Sequence, residues 1–74
     1  MTATVKKVQA AINKAGIPLE FVRGAGYHYF VFDDGEWFDT ESVMAPYTSH
    51  CTVSQWLEDA AVAFEAISAR IRLK

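Results

Sequence analysis

The sequence is poor in the residues that commonly hold small secreted or fibrous proteins together. It has one cysteine, Cys51, so no disulfide can close within the chain, and a reducing compartment is the simpler setting. Two prolines and four glycines in 74 residues exclude collagen-like and low-complexity chains. Uninterrupted apolar stretches reach only about five residues, far below the roughly 20 that a membrane-spanning helix needs. The opening lysines, Lys6 and Lys7, have no long apolar segment behind them. The sequence therefore predicts neither export nor membrane insertion and places the chain in the cytoplasm. Lysine and arginine are absent from Asp33 to Glu65.

What is present is apolar and aromatic. Hydrophobic residues make up 51% of the chain and aromatic ones 14%, which excludes intrinsic disorder. The length suits one domain, residues 1–74, and a fold this small buries only about 60% of its unfolded surface, so large side chains must supply its stability. The net charge is −2, but its distribution is uneven. The segment Asp33–Glu65 carries eight acids, whereas four basic residues precede it and Arg70, Arg72 and Lys74 follow it. Such a centre repels phosphate and attracts a cationic protein surface. The competing reading is a solvated surface with the terminal cations placed favourably at a helix C-terminus.

Val5, Val8, Ile12 and Ala15 recur at helical spacing and predict a first helix over about Ala3 to Ala15, stopped by Gly16 and Pro18. Leu19–Arg23 and the aromatic run Tyr27–Phe32 read as a hairpin around Gly24-Ala25-Gly26. Asp34-Gly35 suits a two-residue turn into a third strand over about Glu36 to Thr40, extendable to Met44, and Pro46 ends the pairing. Thr52-Val53-Ser54-Gln55 has the form of a capping box, with Cys51 and Trp56 at the positions of a hydrophobic staple, and opens a second helix over about Val53 to Arg72. The predicted fold is α+β: helix, three-stranded antiparallel meander, helix, with both helices on one sheet face.

A turn centred on Asp34-Gly35 pairs Phe32 with Trp37, Phe30 with Asp39 and His28 with Glu41. A three-residue first loop adds Leu19 and Phe21 to the face of Tyr29, Val31 and Phe38. That face is the more uniformly apolar and is expected to meet the helices. The opposite face then exposes Phe30, Phe32 and Trp37 beside His28, Asp39 and Glu41, a candidate protein-binding patch with aromatic anchors and an acidic rim. The competing arrangement folds the connector Val43–Cys51 back over those rings, with Met44 and Tyr47, or slips the register by one residue.

Two nucleic-acid readings meet this one. The element order matches a double-stranded RNA-binding domain, but the second helix opens Ser54-Gln55-Trp56-Leu57-Glu58-Asp59, without the lysines that grip phosphate. The run Tyr27–Phe32 is partly similar to the aromatic strand of an RNA-recognition motif, yet acids flank it. Nucleic acid is thus not the expected partner. Two histidines, His28 and His50, and Cys51 lack metal-ligand spacing, and no nucleophile or phosphate-loop motif is present, so the expectation is no enzyme, no metal and no cofactor.

The hairpin Gly24-Ala25-Gly26-Tyr27-His28-Tyr29-Phe30, together with Ala15–Arg23 before it and Thr52 and Trp56-Leu57-Glu58 after it, resembles a family of small proteins encoded by bacteriophages and prophages. Members of that family often have an acid where this chain has Ala25, and the alanine-rich tail after Asp59 is a further departure. The resemblance carries over no catalytic residue or cofactor. It implies an accessory protein in the cytoplasm of a bacterial host, and such proteins commonly act by occupying a host protein's surface. The expected partner is a host protein or, in a homodimer, a second copy; no membrane is implied.

Overall fold

The computed structural model describes residues 3–73. The order is α1 (Val5–Lys14), β1 (Glu20–Arg23), β2 (His28–Asp33), β3 (Phe38–Val43), a 3-10 turn (Thr48–His50) and α2 (Val53–Arg72). The strands form one antiparallel sheet in the order β1-β2-β3, and both helices pack on one face, giving the expected α+β architecture.

Local chemistry sets the helix ends. Thr4 caps α1 by accepting from the Lys7 N–H at 3.2 Å. At the other end Gly16 takes φ 75°, and the N–H groups of Gly16 and Ile17 donate to the carbonyls of Asn13 and Ile12. That is the Schellman arrangement, in which glycine avoids the steric cost of a left-handed residue. The capping box of α2 forms in both directions: Gln55 N–H donates to Thr52 Oγ1 at 3.1 Å, and Thr52 N–H donates to Gln55 Oε1 at 2.8 Å. Trp56, Ala60, Ala63 and Ile67 then bury one stripe of α2 against Val8 and Ile12 of α1 and the sheet.

The sheet differs from the sequence expectation in both turns. The first turn has two central residues, Ala25 and Gly26, with Gly26 at φ 79° and Gly24 N–H donating to the Tyr27 carbonyl at 2.8 Å. One residue fewer in the loop pairs Phe21 with Phe30 rather than with Tyr29. Every side chain of β1 thereby changes face. The second turn is centred on Gly35-Glu36, not Asp34-Gly35. Gly35, at φ 90°, supplies the positive φ that a type II′ turn needs at its first central position, and Asp34 Oδ1 accepts from the N–H groups of Glu36 and Trp37. This move shifts β3 by two residues, so Phe30 faces Glu41, Phe32 faces Asp39 and His28 faces Val43. An even shift preserves the faces of β3.

These registers reverse which side meets the helices. Leu19 and Phe21 now share a side with Phe30, so the three apolar rings Phe21, Phe30 and Phe32 gather there, while the tyrosines, whose hydroxyls favour water, lie opposite. Phe21 packs 5.4 Å from Phe30 and 4.9 Å from Trp56, ring centre to ring centre. His28 lies among them, stacked on Phe21 at 5.3 Å and tilted against Trp56 at 4.9 Å.

A fully buried imidazole must satisfy both nitrogens. His28 Nδ1 faces the Ala45 carbonyl at 2.7 Å, so Nδ1 carries the proton, and Nε2 accepts from the Thr48 hydroxyl at 2.8 Å. Trp56 Nε1 donates to the Thr48 carbonyl at 2.8 Å. The connector after β3 thus folds back over the rings through Ala45 and Thr48, while its Met44 and Tyr47 remain exposed. Replacing Thr48 by valine keeps its shape and leaves His28 Nε2 unpartnered. The expected loss is about 1–3 kcal/mol of unfolding free energy, measured by urea denaturation; an unchanged midpoint at unchanged slope would contradict this account.

Candidate functional site

The residues singled out from sequence fall into three groups. Phe30 and His28 have 0% exposure and belong to the core, so they cannot be partner anchors in the folded monomer. Phe32 is half-buried, with its ring 6.3 Å from Phe64 of α2. Trp37, expected opposite Phe32, instead flanks the second turn and is half-buried, with its Nε1 3.5 Å from Asp39 Oδ2. Asp39 and Glu41 are already engaged: Arg70 of α2 donates from Nε to Asp39 at 2.6 Å and from Nη1 to Glu41 at 2.8 Å. The expected patch is therefore the lining and rim of the helix-covered face.

Arg70 also explains how two carboxylates sit on that face. Its hydrogen bond, aided by the Thr40 N–H and the Trp37 indole, lowers the Asp39 pKa below the ordinary carboxylate value. The two carboxylates in turn raise that of the guanidinium. A lowered carboxylate pKa adds stability above the unfolded value of about 3.9 and loses it as pH falls through the folded value. Stability should therefore decline below about pH 4, less steeply in Asp39→Asn than in wild type. Urea midpoints from pH 7 to pH 3 test this, and parallel declines in the two proteins would exclude the Arg70–Asp39 contact as a source.

The open face is the one that sequence reasoning assigned to the core. It carries Glu20 and Val22 from β1, Tyr29, Val31 and Asp33 from β2, and Phe38, Thr40 and Ser42 from β3. Val22, Val31 and Phe38 lie outside the hydrophobic cluster, and Phe38 is 66% exposed. Tyr27 extends the face into the first turn, its ring 5.8 Å from that of Tyr29. The Tyr27 ring covers Gly24, where a Cβ would come within 2.8 Å of it, so glycine is what allows the ring to lie flat on the hairpin. Aromatic rings at both ends of a valine strip give a continuous, partly apolar surface.

Carboxylates gather at one end of it. Glu20 and Asp33 lie on the face, across from Val31 and Phe38, and Asp34 and Glu36 belong to the adjacent turn, Asp34 opposite Trp37; all four are exposed. The N–H groups of Trp37 and Glu36 lower the Asp34 pKa, which keeps that group charged. Beside the face, an open groove of about 620 Å³ runs along the start of β1, with Gln9 and Asn13 of α1 on one side and Glu20, Val31 and Asp33 on the other. The described cations lie elsewhere: Lys6, Lys7 and Lys14 on α1, Arg70 and Arg72 on α2, and Arg23 on the covered-face side of β1.

Among the described residues no group of three His, Cys, Asp or Glu side chains could hold a metal ion, and no helix is long and apolar enough to cross a membrane. No protein-family model matches the chain, and searches of curated proteins and of solved structures return no significant match.

The two faces differ in what truncation costs. Phe30→Ala should lose about 3–5 kcal/mol, whereas Phe38→Ala should stay within about 0.5 kcal/mol of wild type, both read by chemical denaturation. Comparable losses in the two variants would assign Phe38 to the core and remove the open face.

Proposed function

We propose that this chain is a protein-binding module that docks its partner on the open sheet face, around Tyr27, Tyr29, Val31 and Phe38. The observation that supports this most directly is the 66% exposure of Phe38 at the end of an aromatic and valine strip, in a chain whose other four phenylalanines are buried or half-buried. Large apolar side chains left together at the surface commonly mark contact sites, and aromatic residues are frequent anchors. Among the described residues no cation lies on this face, which weighs against phosphate binding there.

The setting rests on sequence resemblance alone. The Gly24–Phe30 hairpin and the Trp56-Leu57-Glu58 segment favour a phage or prophage accessory protein, which makes a host cytoplasmic protein the natural target and inhibition by surface occupation the natural mode of action.

The test uses the double variant Tyr29→Ala, Phe38→Ala, whose fold is checked by circular dichroism. Proteins captured from a bacterial lysate by wild type are identified, purified and titrated against both forms. The expected result is a partner whose affinity falls at least tenfold in the variant. A partner bound equally by both forms, or none bound by wild type, would overturn the reading.

A further inference from the structure

Resting on that reading, we infer that the segment docking on the open face is cationic, an arginine- or lysine-bearing stretch of another protein, and not a second copy of this chain. The first argument is charge. Glu20 and Asp33 lie on the face with Asp34 and Glu36 in the adjoining turn, which makes that end acidic, and the described lysines and arginines belong to the helices and the covered side of β1. Complementary charge steers encounter and fixes orientation, and a second copy brings only another acidic end and no cation on its own open face.

The second argument is area. One strand of four residues and two of six, about 4.8 Å apart, present a flat area of roughly 250 Å². Two such faces together bury less than half of the roughly 1,200 Å² at which standard interfaces begin. A partner must therefore gain contacts beyond the strip, and the surfaces that continue it are the acidic turn and the groove between Gln9, Asn13, Glu20 and Asp33.

The third argument is local geometry. Phe38, largely exposed, is the cross-strand partner of Asp33, whose Oδ1 accepts from the Gly35 N–H at 3.0 Å, so a ring and a carboxylate occupy neighbouring positions on the face. A guanidinium can stack on the ring while pairing with the carboxylate, which suits arginine particularly well. Tyr27 and Tyr29 offer a second ring surface at the far end of the strip.

Two arms test the inference on the full chain. In the first, hexa-arginine is titrated into 15N-labelled protein at low salt, with hexa-glutamate as a control. Saturable amide shifts should centre on Val31, Asp33 and Phe38. Affinity should fall several-fold in Glu20→Gln, Asp33→Asn, and stay unchanged in Glu58→Gln, Asp59→Asn, which removes equal charge from α2. Equal weakening in both double variants, shifts centred on α2, or no saturation would overturn the inference. In the second arm, peptides are selected from an unbiased display library on wild type and rescreened on Tyr29→Ala, Phe38→Ala. Variant-sensitive peptides rich in arginine or lysine support the inference. Variant-sensitive peptides lacking them overturn it while leaving the docking face intact, and no variant-sensitive peptide at all counts against the face itself.

Discussion

The architecture depends on one buried polar knot. His28 has no contact with solvent, and its two nitrogens can be satisfied only if the chain after β3 turns back to present the Ala45 carbonyl and the Thr48 hydroxyl. Thr48 in turn offers its carbonyl to the Trp56 indole, which ties the start of α2 to the same point. A histidine in the middle strand thereby fixes the path of the connector and the seat of the long helix. Directional bonds of this kind specify one arrangement where apolar packing alone would tolerate several. The flat contact of Phe21 with the His28 ring extends that specification to β1.

The parts of the fold legible in the sequence are those decided within a few residues. Gly16 ahead of Pro18 marked the end of α1, and Thr52 with Gln55 marked the start of α2, because caps are local hydrogen-bonding problems with few solutions. The faces of the sheet were not legible, because they depend on the parity of one turn. Gly24-Ala25-Gly26 can be read as a three-residue loop, or as a two-residue turn with Gly24 in the strand. The Tyr27 ring, seated on Gly24, favours the second. That single residue moved Leu19 and Phe21 across the sheet and exchanged core and surface. The second turn offered a similar choice, and the Asp34 carboxylate resolved it by bonding the N–H groups that follow Gly35. The candidate site was misread for the same reason. The signal that could have found it was the segregation of phenylalanines from tyrosines along Tyr27–Phe32.

The acidic middle of the chain, uniform in sequence, is divided by the fold. Asp39 and Glu41 project under α2 and meet Arg70, the first cation to follow the acidic stretch. Asp33, Asp34, Glu36 and, from outside that stretch, Glu20 remain exposed at the turn end of the sheet, and Glu58 and Glu65 remain exposed on α2. The exposed group sets the field that an approaching molecule meets first, since paired charges largely cancel at a distance. A modest net charge therefore conceals an uneven molecule, with an acidic end to the sheet, three lysines on α1, and both signs along α2.

The sheet's edges sharpen this division. On β1, Gln9 of α1 takes the place of a neighbouring strand, its Oε1 accepting from the Phe21 N–H at 2.7 Å and its Nε2 donating to the Leu19 carbonyl at 3.0 Å. On β3, the Thr40 N–H is taken by the Asp39 carboxylate at 2.8 Å, and Asp39 is itself held by Arg70. Exposed strand edges invite pairing with other chains, and side-chain amides or charges placed on them suppress it. Strand addition at either edge must displace these bonds, whereas contact on the open face displaces no hydrogen bond of the sheet. Association across the face, through side chains, would therefore disturb the sheet less than strand addition, and there rings and carboxylates rather than the sequence-blind backbone would select a partner.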